Sequence, residues 1–448
     1  QLLVDQLNAS EIDRIRQKLV EHKPGEDPVI QFYEPFLAEY DPKEREARGV
    51  YYTPKPVVDY IVRSVDWILR NKFGKEKGLA DESVNLLDPA TGTGTFLMSA
   101  IQEIYWNTKK ANESLGDEMV SREFNKIVLN HILKHFYGFE LLIAPYAVAH
   151  LKLTLELERL GFDFKLTKGD GDAENDRLKV YLANTLDDPN KPPQNLFGFG
   201  SIPQESEKAR EVKKNVPILA IMGNPPYSLV SNNLLPSMRG LVDKYKFIDG
   251  KKIKERGALQ MEKILNDDYV KFISFAQEKI QHNGEGVVAY VNNHTFLDNP
   301  TMRAMRHHLL SDFDEIYIFN LHGNYKQREK GSHDENVFKI QQGVSVNFFI
   351  KKKQSEIRKS ADVYYAEIKG SSLEKFDFLG SNHMETTKFE KLSPNEPYFF
   401  FIPRSEKMES EYSNYKTITP SFPLKSIGFF TSRDKLVIGF EKKDIENG

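Results

Sequence analysis

An α/β fold on a mostly parallel, seven-stranded sheet is predicted by three features of the sequence. Short apolar runs alternate with helical periodicities from residue 84 onward. Two of those runs empty into loops rich in Gly or Pro, and 40% of the residues are hydrophobic, enough for a large core. The strands expected are 84–88, 136–140, 180–183, 218–222, 286–291, 315–320 and 344–351, with helices at 95–107, 144–160, near 260–281 and at 300–310.

Ahead of the sheet, the chain reads as helices. Asn8-Ala9-Ser10-Glu11 resembles a capping box before Ile12, Ile15 and Leu19, and a second apolar periodicity runs from Val29 to Tyr40. A third helix has Thr53 as its cap, Pro54 in the first turn, an apolar stripe from Val57 to Leu69, and Gly74 as its stop. Three segments break the alternation: 187–215, 228–256 and 322–342, each long enough to be a lid or substrate loop, the first also open to being a disordered insertion. After about residue 360 the periodicity fades, and the aromatic run Tyr398 to Phe401 looks like the start of a separate strand-rich unit. The expected organisation is a helical connector at 1–48, a catalytic domain at 49–360, and the beginning of a recognition domain at 361–448.

Composition narrows the classes of function. With no cysteine, disulfides and thiolate-ligated metals are excluded, and the 11 histidines show no metal-ligand spacing, so no metal is expected. His307 and His308 are neighbours on a helix and point different ways. No apolar run reaches membrane-spanning length and no signal peptide opens the chain, so the expectation is a cytoplasmic protein with no membrane partner. The chain starts without Met and stops abruptly, as a piece of a longer polypeptide would. A net charge of −3 does not advertise nucleic acid, but basic patches at 244–254, 303–308, 326–330 and 351–353 read equally as phosphate contacts or as solvated helix ends.

The chemistry concentrates at strand ends. Asp88-Pro89-Ala90-Thr91-Gly92-Thr93-Gly94 follows the first strand and opens a helix. Its glycines permit a tight turn and close approach to a ligand, but Leu97 stands where a dinucleotide fingerprint needs its third glycine. A carboxylate at that turn repels a pyrophosphate and attracts the amino end of an amino-acid cofactor, which favours S-adenosylmethionine over NAD. Glu140 ends the next strand, where it would accept from two ribose hydroxyls or simply face solvent. Asn184 ends the third, either near a cofactor adenine or as a turn residue.

Asn224-Pro225-Pro226-Tyr227 closes the fourth strand. Two prolines stiffen the loop and remove two donors, leaving carbonyls to accept from an incoming group. The Asn224 side-chain oxygen and the Pro225 carbonyl would grip both hydrogens of an aryl amine, while Tyr227 stacks on its ring. Pulling those hydrogens out of plane localises the nitrogen lone pair for attack on a methyl donor.

These two motifs together resemble the amino-methyltransferases of DNA modification. Gly49-Val50-Tyr51-Tyr52-Thr53-Pro54, placed ahead of the glycine turn, resembles the cofactor segment of the gamma class. With Phe32 to Leu37 and Glu44 to Arg48, the chain is similar to the methyltransferase part of Type ISP single-chain restriction-modification enzymes over roughly residues 30–360. The resemblance implies a Rossmann-like, S-adenosylmethionine-dependent methyltransferase that acts on the 6-amino group of a flipped-out adenine. It places Tyr52 and Thr53 at the methionine end and Asp88, Ala90, Gly92, Gly94 and Phe96 along the cofactor. Glu140 falls at the ribose and Asn184 at the adenine, where relatives often carry Asp. Asn224, Pro225, Pro226 and Tyr227 become the catalytic loop, and Phe338 becomes a second aromatic wall against the base, although core packing would account for it equally. Double-stranded DNA is the implied partner, with covalently linked nuclease or translocase domains elsewhere in the polypeptide. The same catalytic loop also suits RNA adenine or protein glutamine, and a non-catalytic DNA-specificity subunit is the reading from another class. Asp362 with Glu367 and Lys369 superficially resembles a metal-nuclease pattern but reads as surface charge pairs.

Overall fold

The computed structural model describes residues 53–167, 177–191, 202–227, 236–253, 262–325, 334–338, 340–353, 360–405, 411 and 414–415. The expected helices at 1–48 and most of the Gly49–Pro54 segment lie outside that set. One compact unit runs as far as Ile402, and a second begins at Pro403.

Nine strands form the main sheet: β1 Leu86–Asp88, β2 Phe136–Glu140, β3 Lys179–Leu182, β4 Ala220–Gly223, β5 Gly286–Asn293, β6 Glu315–His322, β7 Val344–Lys351, β8 Asp362–Glu367 and β9 Glu390–Leu392. Their spatial order is β9-β8-β6-β7-β5-β4-β1-β2-β3. All neighbours are parallel except where β7 meets β5 and β6 and where β9 meets β8. The seven strands read from the sequence are all present, and the sheet then continues through β8 and β9. That moves the boundary expected at 360. Tyr398 to Phe401 also belongs to this unit, because Phe401 is fully buried and its N–H donates to the Leu297 carbonyl at 2.8 Å.

Strands β1, β4 and β5 are buried along their whole length, as parallel strands covered on both faces must be, which is why they read as continuous apolar runs. The chain starts at the sheet's centre with β1 and moves outward through β2 and β3. It then returns to place β4 beside β1. Right-handed crossovers therefore put α2 (Thr95–Ala111) and α4 (Ile143–Arg159) on one face, and α5 (Ile202–Asn215) and α6 (Asp268–Asn283) on the other; α3 (Asp117–Ile127) fills the long link to β2. The strand order reverses between β1 and β4, the place where open α/β sheets bind ligands at the strands' carboxyl ends. Helix α5 occupies much of the segment expected as the loop 187–215.

Helix α1 (Lys55–Phe73) buries Val57, Val58, Ile61, Val62, Val65, Ile68 and Leu69, and stops at Gly74, whose φ of 64° closes the helix through an N–H to Leu69. The cap position belongs to Pro54, with no side-chain cap, so Thr53 is not the helix cap. Helix α7 (Arg303–Asp312) removes one of the basic patches from the surface. Its Arg306 is fully buried and donates to the carbonyls of Tyr398, Phe296 and Asn299. Lys351 and Lys352 are likewise engaged, with the Asp312 carbonyl and with Asp314 and Glu315. Helix α8 (Ser372–Ser381) completes the unit.

Candidate active site

The glycine turn is pinned on three sides. Thr91 N–H donates to the Phe139 carbonyl at 3.0 Å, the Thr91 hydroxyl donates to the Asp88 carbonyl, and Gly94 N–H returns to Thr91. Gly92 and Gly94 take φ of 55° and 81°, where a side chain strains the backbone. The two differ in surroundings. A Cβ at Gly94 would press on Ala149 and Leu153 at 3.3 Å, whereas one at Gly92 would meet nothing within 4 Å. Gly94 thus packs the helix, and Gly92 faces open space of the kind a ligand needs.

Glu140 is tied into this turn instead of facing solvent. Its carboxylate accepts from Gly92 N–H and Leu142 N–H, both at 2.8 Å, so it couples the end of β2 to the glycine loop. Ala90 is half-buried beside the turn, and its N–H reaches Asp88 Oδ1 at 3.1 Å. Phe96 is buried in the core below it.

Asp88 is fully buried, and its Oδ2 has no hydrogen-bond partner among the described residues. Burial pushes its carboxyl up to about 8, the Ala90 N–H opposing and Glu140 adding to the rise. Such an orphaned acceptor costs about 1–3 kcal/mol unless something fills its place. A cation with N–H donors matches that need in both charge and hydrogen bonding.

The Asn224 loop adjoins it. A Cβ on Gly223 would lie 2.8 Å from Asp88 Oδ1, so glycine lets the two strand ends close on each other. The Asn224 amide is oriented from both sides: Nδ2 donates to the Thr53 hydroxyl at 2.9 Å, and Oδ1 accepts from the Tyr227 hydroxyl at 2.6 Å. The Tyr227 hydroxyl also lies 3.1 Å from the Val291 carbonyl, which competes with Asn224 Oδ1 for its single hydrogen, and its ring is buried. The sequence reading assigned Asn224 Oδ1 to the substrate alone and did not foresee the Thr53 contact, which joins residues 171 positions apart.

Other expected residues fall out differently. Asn184 Oδ1 accepts from Leu186 N–H at 3.0 Å, the turn geometry that was the alternative to adenine contact. Phe338 is buried ahead of β7, its N–H held by Asn336. Tyr52 lies outside the described residues. Asp362 pairs with Lys391 at 2.7 Å, and Glu367 accepts from Tyr365 and bonds His322, so the nuclease-like pattern is broken into separate contacts. Sequence reasoning missed Tyr290, a buried residue of β5 whose hydroxyl has no partner among the described residues. Inside the run Val287 to Asn293 an aromatic residue reads as core, and nothing in the pattern marks its oxygen.

Residues 25–157 match the family model described as N-6 DNA Methylase. The chain carries an N-6 DNA methylase domain. The matched span takes in Thr53, the glycine turn and Glu140, and the Asn224 loop joins it through the β1–β4 pairing and the bond to Thr53. Over 189 residues the chain is 27% identical to a type II restriction enzyme and methyltransferase of Methanocaldococcus jannaschii, covering 34% of this chain and 16% of that protein.

Solved structures share the fold of the methylase domain. A nuclease-deletion mutant of the Type ISP restriction-modification enzyme LlaGI with a DNA substrate mimic gives a TM-score of 0.68 at 24% identity, over 93% of this chain and 32% of that one. The ATP-dependent Type ISP enzyme LlaBIII bound to DNA gives 0.66 at 22% identity, over 85% and 24%. A DrdV–DNA complex gives 0.60 at 24%, over 82% and 33%. The chain therefore spans a third or less of the length of each of these relatives.

Proposed function

We propose that the methylase domain transfers a methyl group from S-adenosylmethionine to the 6-amino group of adenine in double-stranded DNA, as part of a restriction-modification system. The observation that carries this reading is the adjacency of Asp88 and Asn224: a buried carboxylate with an unfilled oxygen stands against Gly223, one residue before the amide that would hold the amino group.

Bound S-adenosylmethionine would supply an electrophilic methyl on its sulfonium. Asp88 would receive the ammonium of the methionine end, Gly92 would give the cofactor backbone its close approach, and Glu140 would accept from the ribose hydroxyls while still holding the glycine loop. Thr53 and Tyr227 fix the Asn224 amide, so that its oxygen and the Pro225 carbonyl meet the amino hydrogens in a set direction. An incoming N–H would share or displace the Tyr227 hydroxyl at that oxygen. Because the Tyr227 and Phe338 rings are buried, stacking on the base requires the base to leave the helix and enter between them. Asn184 would lie toward the cofactor adenine. Target recognition falls to residues beyond Ile402, and nuclease or translocase functions to linked parts of a longer polypeptide.

The test is label transfer from methyl-labelled S-adenosylmethionine to unmethylated duplex DNA, RNA and protein, offered separately. Label in duplex DNA, released by digestion as N6-methyladenine, is the expected result; label in RNA or protein alone overturns the reading.

A further inference from the structure

Besides Asp88 Oδ2, a second buried polar atom at the switch point has no partner among the described residues: the hydroxyl of Tyr290. Tyr290 is fully buried on β5 and lies opposite Gly223 in the β4–β5 register. Paired residues of neighbouring strands project to the same face of a sheet, so the Tyr290 side chain lies on the face where a Gly223 side chain would stand. That face leads to Asp88, since a Cβ on Gly223 would come within 2.8 Å of Asp88 Oδ1. Glycine at 223 therefore puts no side chain of its own beside Asp88 Oδ1 on that face. Burial raises the Tyr290 hydroxyl well above its ordinary range, and the charge of Asp88 raises it further.

We propose that the Tyr290 hydroxyl is a binding group of the cofactor pocket, hydrogen-bonding the ammonium that Asp88 receives. The inference rests on the cofactor reading above. A phenolic oxygen both accepts and donates, so it can take one ammonium N–H and return its own hydrogen to the Asp88 carboxylate. One cation thereby completes both orphaned atoms. A residue needed only for packing would serve as well as phenylalanine, and without a ligand its hydroxyl only weakens the fold.

The experiment uses Tyr290→Phe in the full chain, with calorimetric titration of S-adenosylhomocysteine and of 5′-methylthioadenosine, which lacks the amino-acid end, and with the melting temperature of the unloaded protein. S-adenosylhomocysteine should bind about tenfold more weakly, as for loss of one charge-assisted hydrogen bond. Binding of 5′-methylthioadenosine should stay the same, and the unloaded melting temperature should hold or rise. Equal affinity of wild type and variant for S-adenosylhomocysteine overturns the inference alone. So does an equal loss for both nucleosides, or a marked drop in melting temperature. Wild-type protein that binds neither nucleoside overturns the cofactor reading, and this inference with it.

Discussion

Two buried carboxylates of the same sheet, Asp88 at the end of β1 and Glu315 at the start of β6, stand in opposite circumstances. Glu315 is held by Lys72 at 2.6 Å, by Lys352, and by the Tyr317 hydroxyl at 3.0 Å. Burial alone would raise its pKa, but the two lysines overcome that and hold it at about 2. Asp88 receives one backbone N–H and no cation, and burial takes it to about 8. A carboxylate that carries its own countercharges is part of the framework. One left without them, with an oxygen that accepts no hydrogen bond from the described residues, marks a place kept for a charged visitor.

The comparison breaks most visibly at the Asp88 end. Asn224→Ala should lower the turnover number by about 100- to 1000-fold, the scale for losing an aligned acceptor, with cofactor affinity held within about twofold in titrations. If turnover persists, the orphaned site is not where the chemistry occurs.

Protons should report the same contrast with opposite signs. The Asp88 pKa is raised from 3.8 to about 8, so its contribution to unloaded stability is full below pH 4 and is lost as pH rises toward 8. Glu315 is lowered from 4.5 to about 2, so its contribution is present above pH 4.5 and is lost as pH falls toward 2. Thermal melts across pH 4–8 should show a falling limb that Asp88→Asn removes. Because only ionised Asp88 attracts an ammonium, cofactor affinity should climb with pH, by up to about tenfold per unit until about 8, and this slope too should vanish in Asp88→Asn.

A smaller effect is expected at Thr53. Thr53→Val removes the hydroxyl that orients Asn224 and should cut turnover by about tenfold, with Thr53→Ser restoring it. Smallest for the site is Glu315→Gln: cofactor affinity unchanged, but about 2 kcal/mol of stability lost in denaturant melts, since solvent reaching the two lysines softens the loss of their countercharge. A shift in affinity there would show that the two carboxylates are not independent.

Much of this was legible in the chain because local rules agree with the fold. The runs 136–140 and 344–351 became strands with those same limits, and the glycine and Asn224 loops fell at neighbouring strand ends. The errors share one cause: a side chain's partner is set by packing from distant elements. Thr53 looked like a cap until Asn224 was brought beside it, and Arg306 looked like a phosphate contact or a solvated helix end until the Tyr398 carbonyl covered it. Residues 361–402 lacked a clear period because β9 is a three-residue edge strand and β8 beside it is only partly buried, and α5 was obscured by the Pro- and Gly-rich stretch before it. Tyr290 could not be seen at all, since an orphaned oxygen is a property of its surroundings.

Helix α1 has a further consequence, in the order of assembly. It precedes every strand of the sheet in the chain, yet its Tyr60 hydroxyl bonds Thr387, 327 residues on, and its Arg63 reaches the carbonyls of Leu379 and Asn382 at 2.6 and 2.9 Å. Contacts of such long sequence separation form slowly, because the loop must close before the bond can compensate for it. During synthesis the part of α1 that packs on α2 is covered early, while the part that meets Leu379, Asn382 and Thr387 stays open until those residues follow. The Asn224 amide depends on Thr53 just ahead of α1, so the amino-gripping loop takes its orientation only once two segments 171 positions apart have been brought together.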